Sequence, residues 1–301
     1  MSNPQRAVSG KAFATLLMVA CLFAANHIAA RIAFNHGVDV PTAVFLRSAL
    51  CALAIAALLL VQGVSWRIST DQIRPLLLIG GLIGIQSLTI YSAVARLPVA
   101  LGLLAFNSYP IWTALWAWLL HRQRPERAML LAMPVILLGL ALALDVFGAA
   151  SGLGAAAQWG RIWAGLLFAL SAAASFGLAL VITQYHAQGC DSRVRTVSTL
   201  AITAVLSMVA VASHGGLHLP IAPAGWGGLA ALIVLYGTAF TIMFTLLPRL
   251  GVVGNSAIMN VEPVFALVLA WLILDQTVAP IQVIGALLVV AAVVRLGLRR
   301  R

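Results

Sequence analysis

The sequence predicts an all-α integral membrane protein, with ten transmembrane helices forming two inverted five-helix repeats around a central cavity. Composition, the length of the apolar runs and an internal repeat support this prediction. Hydrophobic residues make up 62% of the 301 residues, charged residues only 8%, and the mean hydropathy is +1.05. Because soluble domains are about 45–50% apolar and about 25% charged, this chain cannot cover a surface in water. In a bilayer only helices and closed barrels satisfy the backbone, and these runs lack the alternation of barrel strands.

The apolar runs define the ten predicted helices. They cover residues 12–33, 41–61, 75–95, 99–120, 127–147, 161–185, 194–213, 224–247, 252–274 and 279–297. Each run is near the ~20 residues that a spanning helix needs. Short connections separate them, many containing Pro or Gly, and Pro75 is among these predicted boundaries. The longest connection, 148–160, is rich in Gly and Ala and predicts a linker between a first repeat at 1–150 and a second at 151–301.

The basic residues predict the orientation. With a cytoplasmic N-terminus, 14 of the 18 Lys and Arg residues fall on the inner side, and Arg31, Arg47, Arg96 and Arg161 remain on the outer side. This follows the positive-inside rule. We therefore expect a multi-pass protein of the inner cell membrane with both termini in the cytoplasm. The net charge of +11 is scattered over short segments and does not indicate nucleic-acid binding.

The chain repeats part of its own sequence. Segment Arg96–Gln123 aligns with Arg249–Gln276 at a shift of 153 residues, and nine of the 28 columns are identical, including Pro110 with Pro263. Because five helices are an odd number, the second copy enters the membrane from the opposite side. Inverted repeats of this kind place a substrate site near the midplane and alternate its access.

Several segments resemble a known family. The fourth helix, Leu103–Arg124, and the ninth, Ala257–Gln276, have a Pro-centred helix followed by a short turn. The first helix (Cys21–Phe34) and the last (Ile281–Leu296) are similar to the opening and closing helices of the same family. On these segments the chain resembles the drug/metabolite transporter superfamily, in its ten-helix EamA-domain branch.

The sequence also departs from that family. His121 and Arg122 follow the fourth helix where the family usually has Glu, whereas Asp275 stands in that place after the ninth helix.

The resemblance implies export of small metabolites. The run from Asn107 to Pro110 is similar to a region of bacterial aromatic amino-acid exporters, which implies an amino acid or a similar small molecule as substrate. A multidrug or other metabolite exporter and a passive, channel-like facilitator remain alternatives. Enzyme chemistry is not indicated, because the sequence has no HExxH, CxxC, GxSxG or P-loop motif. We expect no cofactor or metal, a lipid bilayer as surroundings, and a functional monomer.

Polar residues inside apolar spans are the candidate site, because polar groups in lipid should face the bundle interior. The predicted substrate-binding set is Asn26, His27, Gln86, Tyr91, Asn107, Tyr109, Trp112, Trp163, Ser175, Tyr236, Thr241, Asn260 and Glu262, with Pro110 and Pro263 as hinges.

Most of these residues have two open interpretations. Glu262 either meets a substrate ammonium or a coupled proton, or bonds a neighbouring backbone at a Pro kink. His27 is either a coupling group or a satisfied core histidine. Asn107 and Asn260 either cap backbone freed by the prolines or bind substrate.

Three further expectations concern arginine, helix contact and coupling. Arg47 either binds a carboxylate or snorkels to the outer interface, and snorkelling is the prediction. The spacing of Gly80 and Gly84 predicts close helix packing inside the bundle. Because the first helix has no acid, we expect weak proton coupling at best, with Glu262 as the single acidic candidate.

Overall fold

The computed structural model describes residues 10–64, 66, 68–124, 127–148, 151–187, 190–245 and 261–299, and every regular element in these ranges is helical. The helices are α1 (Gly10–Asn35), α2 (Val40–Val61), α3 (Thr70–Arg96), α4 (Val99–Phe106), α5 (Tyr109–His121), α6 (Arg127–Ala143), α7 (Ala155–His186), α8 (Ser192–Ser213), α9 (Pro223–Thr245), α10 (Glu262–Leu274) and α11 (Pro280–Arg299). We call the side of the bundle where α1 begins the N-terminal end, and the side where α1 ends the far end.

The helices confirm the predicted fold class. Seven spans in the described ranges are long and apolar enough to cross a membrane, and α4 and α5 together form one of them. Three shorter apolar segments, Leu130–Ala143, Glu262–Leu274 and Pro280–Arg295, correspond to the fifth, ninth and tenth predicted runs. The beginning of the ninth run lies outside the described residues.

The internal repeat is visible in the backbone. α5 and α10 each carry Pro in their first turn. Both helices end at left-handed residues, Arg122 with φ 56° and Asp275 with φ 52°. The next amide in each copy bonds back to an equivalent carbonyl, from Gln123 to Ala117 and from Gln276 to Ala270. The same local sequence therefore builds the same helix and the same cap twice.

The contacts between the halves follow the repeat. The first half contains α1 to α6, and the second α7 to α11. α3 packs on α7 as α9 packs on α1, and α5 packs on α7 as α10 packs on α1. α2 with α8 and α6 with α11 are pairs between equivalent helices. This exchange of partners is what two inverted repeats related by a pseudo-two-fold axis require.

Three predicted boundaries are wrong. The fourth run is not one helix, because it breaks between α4 and α5 at Asn107 and Ser108, just before the proline that cannot donate a backbone bond. Pro75 is not a boundary but lies inside α3. The linker is shorter than predicted, because α7 begins at Ala155 and Gln158 donates to the carbonyl of Leu144 at 3.2 Å.

Glycines allow the closest helix contacts. A Cβ added at Gly80 would lie 2.6 Å from Ile202 of α8, and one at Gly84 would lie 2.6 Å from Leu206. The predicted internal packing of this pair is therefore confirmed. Gly139 of α6 and Gly285 of α11 face each other in the same way, because a Cβ at Gly139 would lie 2.8 Å from the Gly285 carbonyl oxygen.

Candidate functional site

Polar side chains of α1, α2 and α3 meet at Tyr91. Its hydroxyl accepts hydrogen bonds from Nδ2 of Asn26 at 2.8 Å and from Nη1 of Arg47 at 3.1 Å. Tyr91 is only 1% exposed and Asn26 is equally buried. In an apolar medium such bonds are retained because the alternative is an unsatisfied polar group. Tyr91 therefore links three helices of the first half at one point.

The second half contributes an acid to the same region. Oε1 of Glu262, the first residue of α10, lies 3.5 Å from Nε2 of His27 on α1. The His27 ring is 5.1 Å from the Tyr91 ring, centroid to centroid. Nδ1 of His27 has no hydrogen-bond partner in the described part of the chain. Glu262 faces α1, and both interpretations of each residue stay open.

Arg47 contradicts the snorkelling prediction. Its side chain is only 3% exposed. Nη2 donates to Oγ of Ser87 at 3.0 Å, and the guanidinium carbon lies 3.8 Å from the centre of the Tyr236 ring. Cation–π contact of a desolvated Arg contributes about 2 kcal/mol, whereas removing an ion from water costs several kcal/mol. The side chain turns inward because α3 and α9 offer a hydroxyl and an aromatic face.

Arg47 and Ser87 are absent from the predicted binding set. The sequence indicated an interior position for Arg47 only through its depth of about 9 Å in the second helix. The tendency of long basic side chains to snorkel led to the opposite prediction. Ser87 had no signal, because serine is common in apolar helices. Its hydroxyl also donates to Gln86 at 3.4 Å, so this predicted residue adjoins the cluster.

A cavity lies between α2 and α9, close to Arg47 and Tyr236. Its volume is about 460 Å³ and its lining is mostly apolar. Cys51, one turn after Arg47, and Gly237, next to Tyr236, both contribute to its wall. Leu50 and Val234 are exposed at its rim, so the cavity opens on the side of the bundle. Thr241 also lines this cavity and donates to the Gly237 carbonyl at 2.8 Å.

A separate aromatic group lies where α4, α5 and α7 meet. Tyr109 contacts Phe106 and Phe176 with ring centres 5.7 Å and 5.1 Å apart. Trp112 packs against Gly177 of α7, because a Cβ there would lie 3.1 Å from Cβ of Trp112. These predicted residues therefore face the α5–α7 interface, whereas Tyr91 lies at the α1–α3 interface.

Asn107, Trp163 and Ser175 take no part in the hydrogen bonds at Tyr91. The side chain of Asn107 donates to its own helix at the Leu103 carbonyl, 2.9 Å away. This carbonyl also accepts the Asn107 amide and is not one freed by Pro110, so both interpretations of Asn107 stay open. Trp163 is 48% exposed on α7, which suits an interfacial tryptophan. Ser175 is half-buried on the same helix. Pro110 and Pro263 occupy equivalent first turns, and their hinge role stays a prediction. Asn260 lies outside the described residues.

At the far end, the connection between α8 and α9 contacts the turn between α1 and α2. The segment after α8 packs on the α1–α2 turn, where the backbone N–H of His218 donates to Oγ1 of Thr42 at 3.0 Å. Nδ1 of His218 lies 3.4 Å from Oδ2 of Asp39, and the Ile221 amide donates to the His36 carbonyl at 3.1 Å. These contacts join the two halves across the top of the cluster.

Comparison with known proteins identifies the family. Residues 10–144 and 163–298 each match the EamA-like transporter family. The chain belongs to that family. The two matched stretches together cover most of the chain, and each contains one five-helix half. Because this family lies within the drug/metabolite transporter superfamily, the chain is a membrane transporter of small molecules.

A solved structure has a similar fold. A crystal structure described as "Crystal structure of protein" is similar over 96% of this chain and 98% of that chain, with a TM-score of 0.62 and 20% sequence identity. At this identity the likeness concerns the fold alone. Among the curated proteins none matches significantly. No group of three His, Cys, Asp or Glu side chains that could hold a metal occurs in the described ranges.

Proposed function

We propose that this EamA-family chain is a secondary transporter that exports amino acids by alternating access. The contact between His27 and Glu262 carries the proposal, because it places a carboxylate from one half against the polar side chains of the other. Acids within membrane spans are rare and mark substrate or ion pathways. In inverted-repeat transporters the substrate site lies between the repeats near the midplane.

An amino acid fits the groups that surround this contact. Glu262 can accept hydrogen bonds from an ammonium, and Oδ1 of Asn26 is a second acceptor with no partner among the described atoms. Both side chains remain inside the bundle, where Glu262 is 20% exposed and His27 11%. The similarity of residues 107–110 to aromatic amino-acid exporters supports the same substrate class. The proposal includes a monomer in the inner cell membrane with both termini in the cytoplasm, as the basic residues predict.

The contacts at the far end favour a carrier over a passive channel. A channel needs a continuous polar path, whereas here the α8–α9 segment contacts the α1–α2 turn and joins the two halves on that side. Transport then requires these contacts to open while others close. With a single acid beside a histidine we expect facilitated or exchange-like export, coupled weakly to protons at best.

The test uses proteoliposomes that contain the purified protein. Labelled amino acids are loaded, and efflux is measured while unlabelled amino acids or cationic drugs compete. We expect amino acids to compete and cationic drugs to fail, and an imposed pH gradient to drive no accumulation. Competition by drugs alone would replace the amino-acid proposal with multidrug export. Uphill transport driven by the pH gradient would contradict the coupling prediction.

A further inference from the structure

Arg47 is a buried cation without an anionic partner. No carboxylate of the described residues lies within salt-bridge distance of its guanidinium, and Glu262, the acid of the same region, contacts His27 instead. A buried charge is costly unless it is paired and fully hydrogen-bonded. The aromatic faces of Tyr236 and Tyr91 stabilise the guanidinium, at 3.8 Å and 5.0 Å from its carbon, but they do not neutralise it.

Arg47 and Tyr91 have hydrogen-bond donors that are free to bind a ligand. Its Nη1 and Nη2 atoms each donate one hydrogen bond, and Nε has no partner among the described atoms. A guanidinium carries five N–H donors in a planar fork, so most of that fork is unused by these contacts. The Tyr91 hydroxyl accepts from both Asn26 and Arg47, which occupies its acceptor positions and leaves its own proton to donate.

Space for a ligand adjoins these donors. Cys51 lies one helical turn after Arg47 on the same face of α2, and Gly237 follows Tyr236 on α9. Both line the cavity of about 460 Å³ between these helices. The cavity wall therefore begins one turn beyond Arg47 on α2 and one residue beyond Tyr236 on α9.

We propose that Arg47, together with the Tyr91 hydroxyl, is a carboxylate subsite, so that every transported molecule must carry a carboxylate. This deepens the proposed function and rests on it. The flat fork of an arginine matches the two oxygens of a carboxylate, and such charge-assisted pairs are the strong ones. An amino acid bound here would place its carboxylate at Arg47 and its ammonium on the other side of Tyr91, towards Asn26 and Glu262.

A purely structural role is the competing explanation. Arg47 joins α2 to α3 through Ser87 and Tyr91 and to α9 through Tyr236. A structural clamp would change folded yield and overall rate but not the chemical selectivity of the transporter. The test therefore compares ligands that differ only in the carboxylate.

The probes are L-phenylalanine, its primary amide, phenylethylamine and 3-phenylpropionate, competing for counterflow of labelled L-phenylalanine in proteoliposomes. For the wild type we expect 3-phenylpropionate to compete and the two probes without a carboxylate to be at least roughly tenfold weaker than phenylalanine. Arg47→Gln should weaken competition by phenylalanine by roughly 10- to 100-fold and leave competition by the amide unchanged, because only the charge-assisted bonds are lost. Arg47→Lys keeps the charge but not the planar fork, so phenylalanine should compete with an affinity between those of the wild type and Arg47→Gln.

Arg161 provides the matched control, because it is an exposed arginine of α7 and Arg161→Gln should preserve both rate and selectivity. Equal competition by the amide and the acid in the wild type would overturn the inference, and so would unchanged selectivity in Arg47→Gln. If Arg47→Gln does not fold, the wild-type panel and Arg47→Lys still decide.

Failure of the proposed function gives a different pattern. If no amino acid is transported, thermal stabilisation of the purified protein by 3-phenylpropionate is measured instead. If 3-phenylpropionate stabilises the wild type and Arg47→Lys reduces that stabilisation, the carboxylate subsite is supported without amino-acid export. If 3-phenylpropionate does not stabilise the protein, both the subsite and the proposed function are refuted.

Discussion

The hydroxyl of Tyr91 provides the sharpest test of the polar cluster. Tyr91→Phe removes one oxygen and keeps the ring, which contacts His27 and the edge of Phe34. The change leaves Nη1 of Arg47 and Nδ2 of Asn26 without their acceptor in a buried place. A buried unsatisfied donor costs about 1–3 kcal/mol, and interhelical bonds in membranes average about 0.6 kcal/mol. We therefore expect a loss of about 1–4 kcal/mol in stability.

The assay is thermal unfolding of purified protein in detergent, with Tyr185→Phe as matched control. The Tyr185 hydroxyl is buried but has no partner among the described residues, and its ring stacks on His121 at 3.7 Å. Removing an unsatisfied hydroxyl should leave stability unchanged or slightly higher. Tyr91→Phe should therefore unfold several degrees below both the wild type and the control. Equal unfolding temperatures for the two Phe variants would refute the role of Tyr91 as the link between α1, α2 and α3.

Two further predictions concern helix contacts and pH. Gly139→Ala should destabilise the protein, because the added Cβ would lie 2.8 Å from a carbonyl of α11, whereas Gly81→Ala meets nothing within 4 Å and should be neutral or gain up to about 1 kcal/mol. Thermal unfolding of both variants checks this, and equal losses would contradict it. The Arg193 side chain donates to Asp191 and holds the pKa of that carboxyl below its usual range. Since Asp191 is then more acidic in the folded protein than in the unfolded chain, its contribution to stability is present near pH 7 and decreases below pH ~4. Asp191→Asn should lower the unfolding temperature slightly at pH 7 and by less at pH 3, and a constant difference would refute this.

The sequence predicted what local chemistry and average hydropathy control. Pro110 and Pro263 are each the second residue of a 13-residue helix that is followed by a left-handed residue, so the repeat can be recognised without tertiary information. The ten apolar runs followed from apolar length alone, and in the described residues seven are long enough to cross a membrane and three are shorter. Pro75 and the Ala-rich start of α7 shifted only the boundaries.

The site was only partly predictable, because an apolar helix does not show which face is interior. Polarity predicts Asn26, Tyr91 and Tyr236, and the structure links them because Asn26 bonds Tyr91 while Arg47 contacts both tyrosines. Polarity also predicts Trp163, which faces outward. The orientation of Arg47 depends on Ser87 and two tyrosines on other helices. The sequence around Arg47 does not show these contacts.

Glu262 tests the central claim most directly, since the claim is that polar groups of both halves form one substrate site. Equilibrium binding of a labelled amino acid to purified protein is compared for the wild type, Glu262→Gln and Asp71→Asn. Asp71 is an exposed carboxylate in the first turn of α3, so its amide variant is the matched control. We expect Glu262→Gln to bind the amino acid at least roughly tenfold more weakly and Asp71→Asn to bind it like the wild type. Unchanged affinity in Glu262→Gln would contradict the assignment of this cluster as the substrate site.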